Sequence, residues 1–262
     1  KDDAPELPPV VYVAGSINLS ATFWKNGVES VLPSPVLAQC TNMFVSGTDV
    51  YVCGFEDIGT TYVAMYWKNG VPVYLTDGAN NAEVIDICVK GNDVYAVGFE
   101  SNGTFDVAKC WKNGVPIILS NGLKHCIANS ICISGTDVYI LGLVTDGNTT
   151  TLKYWKNGVE TILTDPSLAQ LHGEEIFVQG NDVYVCGWGD YGTYTIAKYW
   201  KNGVRTNLGG GVYSSLAHSL FVSGSDLYVG GWESNGNFNV ATYWKNGTPV
   251  TLTNGTSNSS IR

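Results

Sequence analysis

Basic residues are scarce in this sequence of 262 residues, which has 14 lysines and arginines against 23 aspartates and glutamates. The formal net charge is −9, and no lysine- or arginine-rich run is present. A protein that binds a nucleic-acid backbone or an anionic membrane surface needs such runs to neutralise the phosphates. We therefore expect no nucleic-acid partner.

Long apolar runs are also missing, because no stretch approaches the roughly 18 residues that a transmembrane helix needs. We therefore expect no transmembrane segment. The first nine residues, Lys1 to Pro9, are too polar for the apolar part of a secretion signal. We expect any targeting segment to have been removed.

The motifs of several common sites are absent from the sequence. The seven cysteines include no CxxC pair, so neither a zinc site nor a disulfide framework is indicated. No glycine-rich phosphate loop, GxSxG nucleophile motif or EF-hand ladder occurs. The sequence therefore predicts no cofactor and no resident metal.

What the sequence does contain is a repeat, Trp-Lys-Asn-Gly, with tryptophans 43 to 45 residues apart. The six tryptophans are Trp24, Trp67, Trp111, Trp155, Trp200 and Trp244. A fixed period of this length indicates one array of similar units rather than unrelated domains. Cys88 and Cys132 take a column that holds Phe44, Phe177 and Phe221 in other units, so we interpret them as small buried side chains.

One period predicts four strands. In the second unit the run Met43–Val45 leads through a turn to Val50–Phe55, and Tyr62–Trp67 leads through Lys-Asn-Gly to Val71–Leu75. Asn-Gly between two apolar runs favours a type I′ hairpin, which needs positive φ at both central positions. Each period is thus predicted to be an antiparallel meander, with Pro72 on its outer edge.

Four strands per period, repeated six times, are typical of β-propeller blades. We predict an all-β fold, a six-bladed β-propeller with four-stranded antiparallel blades. Val11–Gly15 matches the second strand of other units, whereas Leu252–Ile261 runs past a fourth strand. We therefore expect the N- and C-terminal segments to share one blade and close the ring. Residues 1–9 would form a tether and residues 10–262 a single domain.

The Tyr-Trp-Lys-Asn-Gly repeats and Gly-Asn-Asp-Val-Tyr turns resemble those of repeat propellers among secreted or lipid-anchored proteins of bacteria, particularly Bacteroidetes. The resemblance covers almost the whole chain and implies an extracytoplasmic location, whether periplasmic, secreted or on a cell-surface lipoprotein. The start Lys1–Glu6 is similar to the polar tether that follows a lipoprotein's modified cysteine. The resemblance implies no particular activity, because such propellers include lectins, scaffolds and enzymes.

The two ends of the predicted propeller differ. The Lys-Asn-Gly and Gly-Asn-Asp turns at one end are uniform, and we interpret them as turn chemistry rather than as a ring of binding lysines. The tryptophans are interpreted as anchors that pack between blades. Loops at the other end vary from unit to unit, as expected for a dedicated site.

The candidate site lies at this variable end, where the first strand of each unit begins. Its candidate binding residues are Asn42, Asp86, His125, Asn129, His172, Glu174, Glu175, Tyr191, Tyr213 and His218. A metal or acid–base cluster is one interpretation of the carboxylates and imidazoles. We favour a solvated rim, because the spacing of the three histidines does not converge them.

Aromatic residues in the rim loops admit two interpretations, stacking on a sugar or packing in the core. Phe55 lies two residues after Cys53 on a strand and shares its face, which favours packing. Glu174 and Glu175, as neighbours on a strand, should point to opposite faces, so a glycosidase pair would need Asp86 across the channel.

We therefore predict a non-catalytic binding or scaffolding propeller, a monomer that engages a glycan, peptide or protein through its variable rim. The alternative is a hydrolase or lyase that uses the acidic and histidine residues at the channel mouth. A purely structural ring without a small ligand is a third possibility. A cluster of the acidic and histidine side chains would favour the enzyme.

Overall fold

A computed structural model describes residues 10–165, 168 and 170–261. These residues form 23 β-strands in five sheets, and every strand pair is antiparallel except one parallel bridge between Thr150 and Gln170. The prediction of an all-β fold is confirmed. Across the described ranges, no helix is long and apolar enough to cross a membrane. The predicted tether, residues 1–9, lies outside the described residues, as does Arg262.

The strands follow the chain in six successive meanders. The first contains β1 (Tyr12–Ile17), β2 (Ser20–Lys25) and β3 (Val28–Val31). The second contains β4 (Leu37–Ser46), β5 (Asp49–Asp57), β6 (Tyr62–Lys68) and β7 (Val71–Tyr74). The third contains β8 (Ala82–Lys90), β9 (Asp93–Ser101), β10 (Asp106–Lys112) and β11 (Val115–Ile118). The fourth contains β12 (His125–Ser134), β13 (Asp137–Asp146), β14 (Thr149–Lys156) and β15 (Val159–Leu163). The fifth contains β16 (Gln170–Gln179), β17 (Asp182–Asp190), β18 (Thr195–Lys201) and β19 (Val204–Asn207). The sixth contains β20 (Ser215–Ser223), β21 (Asp226–Ser234), β22 (Asn239–Lys245) and β23 (Thr248–Thr251).

Strands within a meander pair in chain order, which gives the predicted four-stranded antiparallel sheets. The fourth and fifth meanders are joined into one eight-stranded sheet by the bridge from β14 to β16, and the first meander has three strands among the described residues. Pro72, Pro116 and Pro249 lie on the outer strands β7, β11 and β23, where the missing N–H costs no ladder bond.

The Lys-Asn-Gly turns have the geometry that the sequence predicts. Asn69 has a φ of 51° and Gly70 a φ of 81°, so both central positions of the hairpin are left-handed. The asparagines of the other five copies have φ values of 50° or 51°. This is the backbone that a type I′ turn requires.

These turns are tied to the neighbouring hairpin by a small cluster of side chains. Asn69 Nδ2 donates to Asp49 Oδ1 at 2.9 Å, and Asn69 Oδ1 accepts from the N–H of Val50 at 2.9 Å. Lys68 Nζ lies 3.2 Å from Asp49 Oδ2 and 5.3 Å from the centre of the Tyr51 ring. The same aspartate–lysine pair recurs at Asp93, Asp137, Asp182 and Asp226. The repeated lysines are therefore engaged within the protein.

Asn69→Ala is expected to lower the free energy of unfolding by about 1–2 kcal/mol, because alanine tolerates the left-handed φ poorly and leaves the Val50 N–H without its acceptor. Lys68→Met is the matched control and should change stability little, since exposed ion pairs contribute little. Urea unfolding measures both variants. Equal losses in the two would show that the ion pair, and not the turn, holds the hairpins together.

Five of the six tryptophans are buried between neighbouring meanders, whereas Trp24 is half-buried. Trp67 packs against Ala21 and Leu32 of the first meander, and its Nε1 donates to the carbonyl of Pro33 at 2.9 Å. Trp111 packs in the same way against Tyr51 of the second. The repeated motif thus places a large apolar side chain at each junction between sheets.

The C-terminal segment lies against the last meander. Ser259 N donates to the carbonyl of Asn239 at 2.8 Å, and Ile261 N donates to that of Gly231 at 3.2 Å. Within residues 10–261 the segment pairs with no strand of the first meander, and β1 has β2 as its single partner. The ring closure expected from the sequence is therefore not seen in the described residues.

Candidate functional site

A cavity of about 1170 Å³ is bordered by the first strands of the second to sixth meanders. We call it the inner cavity. Its walls come from β4, β8, β12, β16 and β20, and it holds many of the candidate residues of the variable end. The candidates that line it are Asn42, Asp86, Asn129, Glu174, Glu175 and His218.

Each of these five strands carries a β-bulge at the level of the candidate site. The register skips one residue in each strand, and the skipped residues are Thr41, Ile85, Asn129, Glu174 and His218. On the neighbouring strand a glycine lies opposite the bulge, and Gly98 is one of these glycines. A methyl group on Gly98 would lie 2.0 Å from the backbone oxygen of Glu83. The close approach of the two backbones at the bulge therefore requires glycine.

The bulge changes which side chains face the cavity. A bulge interrupts the alternation of a strand and re-aims the side chain at that point. Glu174 and Glu175 both line the inner cavity as a result. The expectation that these neighbours point to opposite faces is wrong, because it assumed an uninterrupted strand.

The residues directly after the bulges form a layer of polar groups, which we call the polar layer. It contains Asn42, Asp86, Ser130, Glu175 and Ser219. Three members reach the backbone of the next first strand: Asp86 Oδ2 accepts from Ile131 N at 2.8 Å, Ser130 Oγ from Ile176 N at 3.3 Å, and Glu175 Oε2 from Leu220 N at 2.7 Å. The layer thus ties neighbouring meanders together around the cavity.

Two carboxyl groups of the polar layer have unusual proton affinities. Burial raises the pKa of Asp86 from 3.8 to about 6, against the opposing effect of its hydrogen bonds from Ile131 and Ile87. Burial also raises the pKa of Glu175 from 4.5 to about 7, and the charge of Asp86 adds to that rise. Glu175 is therefore partly protonated at neutral pH, which is the state that a proton donor needs.

The raised pKa of Asp86 predicts a fall in stability with pH. Its contribution is complete below about pH 4 and is lost as pH rises towards 6, because folding favours the neutral form. The fall in the free energy of unfolding between pH 4 and 7 is expected to be smaller in Asp86→Asn than in wild type, by up to about 3 kcal/mol. The free energy of unfolding from pH 4 to 7 measures it.

Asp49→Asn is the control for this titration. Hydrogen bonds from Asn69 and Lys68 lower the pKa of Asp49, so its removal should leave the fall between pH 4 and 6 unchanged. A wild-type protein whose stability does not fall in this range would contradict the assignment to Asp86.

The three histidines do not converge. His125 Nδ1 lies 3.0 Å from Asp106 Oδ2, and its ring meets the edge of Phe105 with centroids 5.3 Å apart. His172 stacks on Trp188 at 3.7 Å, and His218 lines the inner cavity. Among the residues that the structure describes, no group of three or more histidines, cysteines, aspartates or glutamates is placed to hold a metal ion.

Trp188, which takes the place of Phe55 in the fifth meander, contacts two of the candidate residues, Glu174 and His172. Its Nε1 donates to Glu174 Oε1 at 3.3 Å, while its ring lies parallel to His172 within 9°. Burial lowers the pKa of His172, against the charges of Glu174 and Asp190. Trp188 therefore holds the carboxylate of Glu174 in place at the cavity wall.

The two tyrosine candidates lie away from the inner cavity, Tyr191 half-buried and Tyr213 exposed. Tyr191 stacks on Tyr194 with centroids 5.3 Å apart, and its hydroxyl accepts from Lys198 Nζ at 3.0 Å. Tyr213 is 49% exposed and lines a separate surface pocket. Phe55 is buried against Tyr62, which agrees with the packing interpretation.

The chain matches no protein-family model, and no curated protein sequence matches it. Among solved structures it resembles a GH43 endo-arabinanase from Bacillus licheniformis, with a TM-score of 0.39 and 12% identity, covering 79% of this chain and 95% of that one. It also resembles the GH32 β-fructofuranosidase BmSUC1 of Bombyx mori, with a TM-score of 0.40 and 8% identity, covering 74% of this chain and 54% of that one. The chain thus spans about half the length of the fructofuranosidase.

The comparisons correct the function expected from the sequence. A non-catalytic binding or scaffolding protein, and with it the expectation of no enzymatic activity, is wrong on these findings, which favour the hydrolase alternative. At these identities and TM-scores the alignments carry no activity over to this chain. Its chemistry has to follow from the inner cavity.

Proposed function

We propose that the protein is a hydrolase whose reaction takes place in the inner cavity, with Glu175 as the proton donor. The observation that carries the proposal is a carboxyl group with a pKa of about 7 facing a cavity of about 1170 Å³ that also contains Glu174 and Asp86. A neutral carboxylic acid beside a second carboxyl group is the equipment of acid–base hydrolysis.

Glu174 and Asp86 differ in how far their oxygens are engaged. Asp86 Oδ1 accepts from Asn42 Nδ2 and from Ile87 N, both at 2.8 Å, while Oδ2 accepts from Ile131 N. Both oxygens of Asp86 are therefore held by the protein. We assign Glu174 as the second carboxylate, which activates water, and Asp86 as the group whose charge helps to keep Glu175 protonated.

The remaining groups of the cavity suit a substrate rich in hydroxyl groups. Amide and hydroxyl side chains surround the carboxyl groups at Thr41, Asn42, Asn129, Ser130 and Ser219. Two carboxyl groups that flank a glycosidic bond are the usual catalysts of glycoside hydrolysis. We therefore assign the substrate to the carbohydrates and the scissile bond to a glycosidic bond.

A panel of 4-nitrophenyl glycosides tests this proposal by release of 4-nitrophenolate. The wild-type protein should hydrolyse at least one member, and Glu175→Gln should cleave the methyl glycoside of the same sugar about 100-fold more slowly. Glu29→Gln, which alters an exposed carboxyl on β3 outside the cavity, is the matched control and should keep full activity. A wild-type rate of Glu175→Gln on that methyl glycoside, or a wild type inert towards the whole panel, would overturn the proposal.

We also propose that the six meanders are the six blades of one propeller and that the terminal segments share its first blade. The packing of β1 on β4, and of β4, β8, β12, β16 and β20 in succession, supports this arrangement. Amide hydrogen exchange tests it, because a closed first blade predicts slow exchange along both edges of β1. Fast exchange on the edge away from β2 would contradict closure.

A further inference from the structure

An apolar layer lies directly beside the polar layer of the inner cavity. Residues two positions apart on a strand share a face. The residue two positions after each polar-layer residue therefore also faces the cavity. Four of these residues line the cavity, namely Phe44, Cys88, Cys132 and Phe177. We call them the apolar collar. Phe221 extends it, with its ring 5.7 Å from that of Phe177.

The cavity is therefore polar on one side of Glu175 and apolar on the other. Glu174, Asn129 and His218 lie at the bulges on the polar side, while Phe177 follows Glu175 on the collar side. Hydroxyl groups of a substrate find hydrogen-bond partners at the bulges, none on phenyl rings and only weak ones on thiols. A substrate with one polar and one apolar end has a single favourable orientation here.

We propose that the apolar collar binds the leaving group of the substrate, and that this leaving group is an aryl or short alkyl aglycone. The inference rests on the proposed function and names its substrate class. The sugar lies among the bulge residues and the aglycone against Phe44 and Phe177, so the glycosidic oxygen lies at the level of Glu175. At about 1170 Å³ the cavity is slightly larger than typical ligand pockets and is large enough for a monosaccharide with such a group.

The reaction balances in this orientation. Glu175 gives its proton to the glycosidic oxygen, the bond from that oxygen to the anomeric carbon breaks, and the aglycone leaves as a phenol or an alcohol. Water adds to the anomeric carbon as Glu174 takes its proton. Solvent then returns both carboxyl groups to their starting protonation states.

Binding of a neutral apolar dye tests the collar without any need for turnover. We use 1-N-phenylnaphthylamine, whose emission rises in apolar surroundings. Phe177→Ser should weaken dye binding about tenfold or more, because it removes a phenyl ring from the contact. Phe238→Ser is the matched control, since Phe238 is a partly exposed phenylalanine outside the cavity, and should bind the dye as wild type does. Equal binding by the two variants, or none by wild type, would overturn the inference.

A second measurement keeps the test valid if Phe177→Ser does not fold. Cys132 lies in the collar and Cys40 outside it, both are half-buried, and burial raises the pKa of both thiols. In the wild-type protein the dye should slow alkylation of Cys132 by N-ethylmaleimide several-fold and leave Cys40 unaffected. Equal rates at Cys132 with and without dye would count against the collar as a binding site.

The dye experiment separates the failure of this inference from the failure of the proposed function. Glu175→Gln should bind the dye like wild type, because the collar is intact. Dye binding without hydrolysis of any glycoside would support the collar as an apolar binding site and contradict the proposal that the protein is a hydrolase. Hydrolysis of a glycoside without dye binding would leave the hydrolase proposal standing and contradict the collar as the aglycone site.

Discussion

Glu175→Gln is expected to reduce kcat for glycoside hydrolysis by about 100-fold or more, because general acid catalysis contributes about 10²- to 10⁴-fold. Glutamine keeps the shape of the side chain and an oxygen that can accept from Leu220 N. It cannot give a proton to the leaving group. The measurement is kcat on a methyl glycoside at pH 6, because the methanol leaving group needs that proton.

The pH profile of hydrolysis by the wild-type protein provides an independent check on this assignment. The active form carries the proton on Glu175, so activity should fall as pH rises through about 7. Any residual activity of Glu175→Gln should lack that fall. A variant with an unchanged basic limb would show that another group donates the proton, even if its rate is low.

Trp67→Ala is expected to lower the free energy of unfolding by about 3–5 kcal/mol, the usual range for removing a large aromatic side chain from a core. Trp67 is fully buried between the first two meanders, and the substitution leaves a cavity beside Ala21 and Leu32. It also removes the hydrogen bond to the carbonyl of Pro33. Urea unfolding measures the loss.

Trp24→Ala is the control for this substitution, because the same motif residue is only half-buried in the three-stranded first meander. Its cost should be clearly smaller than that of Trp67→Ala. Equal costs would mean that the tryptophan acts through its own hairpin rather than through the junction between sheets.

The fold is largely readable from the sequence because its signals are local and recur. Asn69 and Gly70, like the other five Lys-Asn-Gly copies, adopt a left-handed turn, and the apolar runs on both sides specify the strands. The same signals appear six times, so an error in one unit is corrected by the others. Closure depends on contacts between distant segments, and no local pattern reports it.

The site was only partly readable, because a bulge leaves almost no trace in the alternation of a strand. Nothing in Glu174-Glu175 indicates that both side chains face one cavity. The sequence does indicate the bulge on the partner strand. There Gly187 occupies the same position of its repeat as Gly98, and a side chain at either position would overlap the neighbouring backbone. A glycine repeated inside a strand therefore indicates an irregular partner.

The raised proton affinity of Glu175 could not be predicted from the sequence, for a different reason. It depends on how much water the fold removes from the carboxyl group and on the charge of Asp86, from a meander two units away. Sequence spacing reports neither quantity. The three histidines lie near one end of the fold but in three different environments, and the sequence interpretation did not expect them to converge.

The aspartate–lysine pairs of the uniform turns also shape the electric field of the whole molecule. Each pair, such as Lys68 with Asp49, cancels its charge within a few ångströms, so these turns contribute little to the net charge of −9. The negative potential must therefore arise elsewhere, and the carboxyl groups of the inner cavity contribute to it. Anionic sugars, such as uronates, would be repelled on approach, and more strongly at low ionic strength. Under the proposed function, the net charge thus disfavours anionic saccharides before any contact forms.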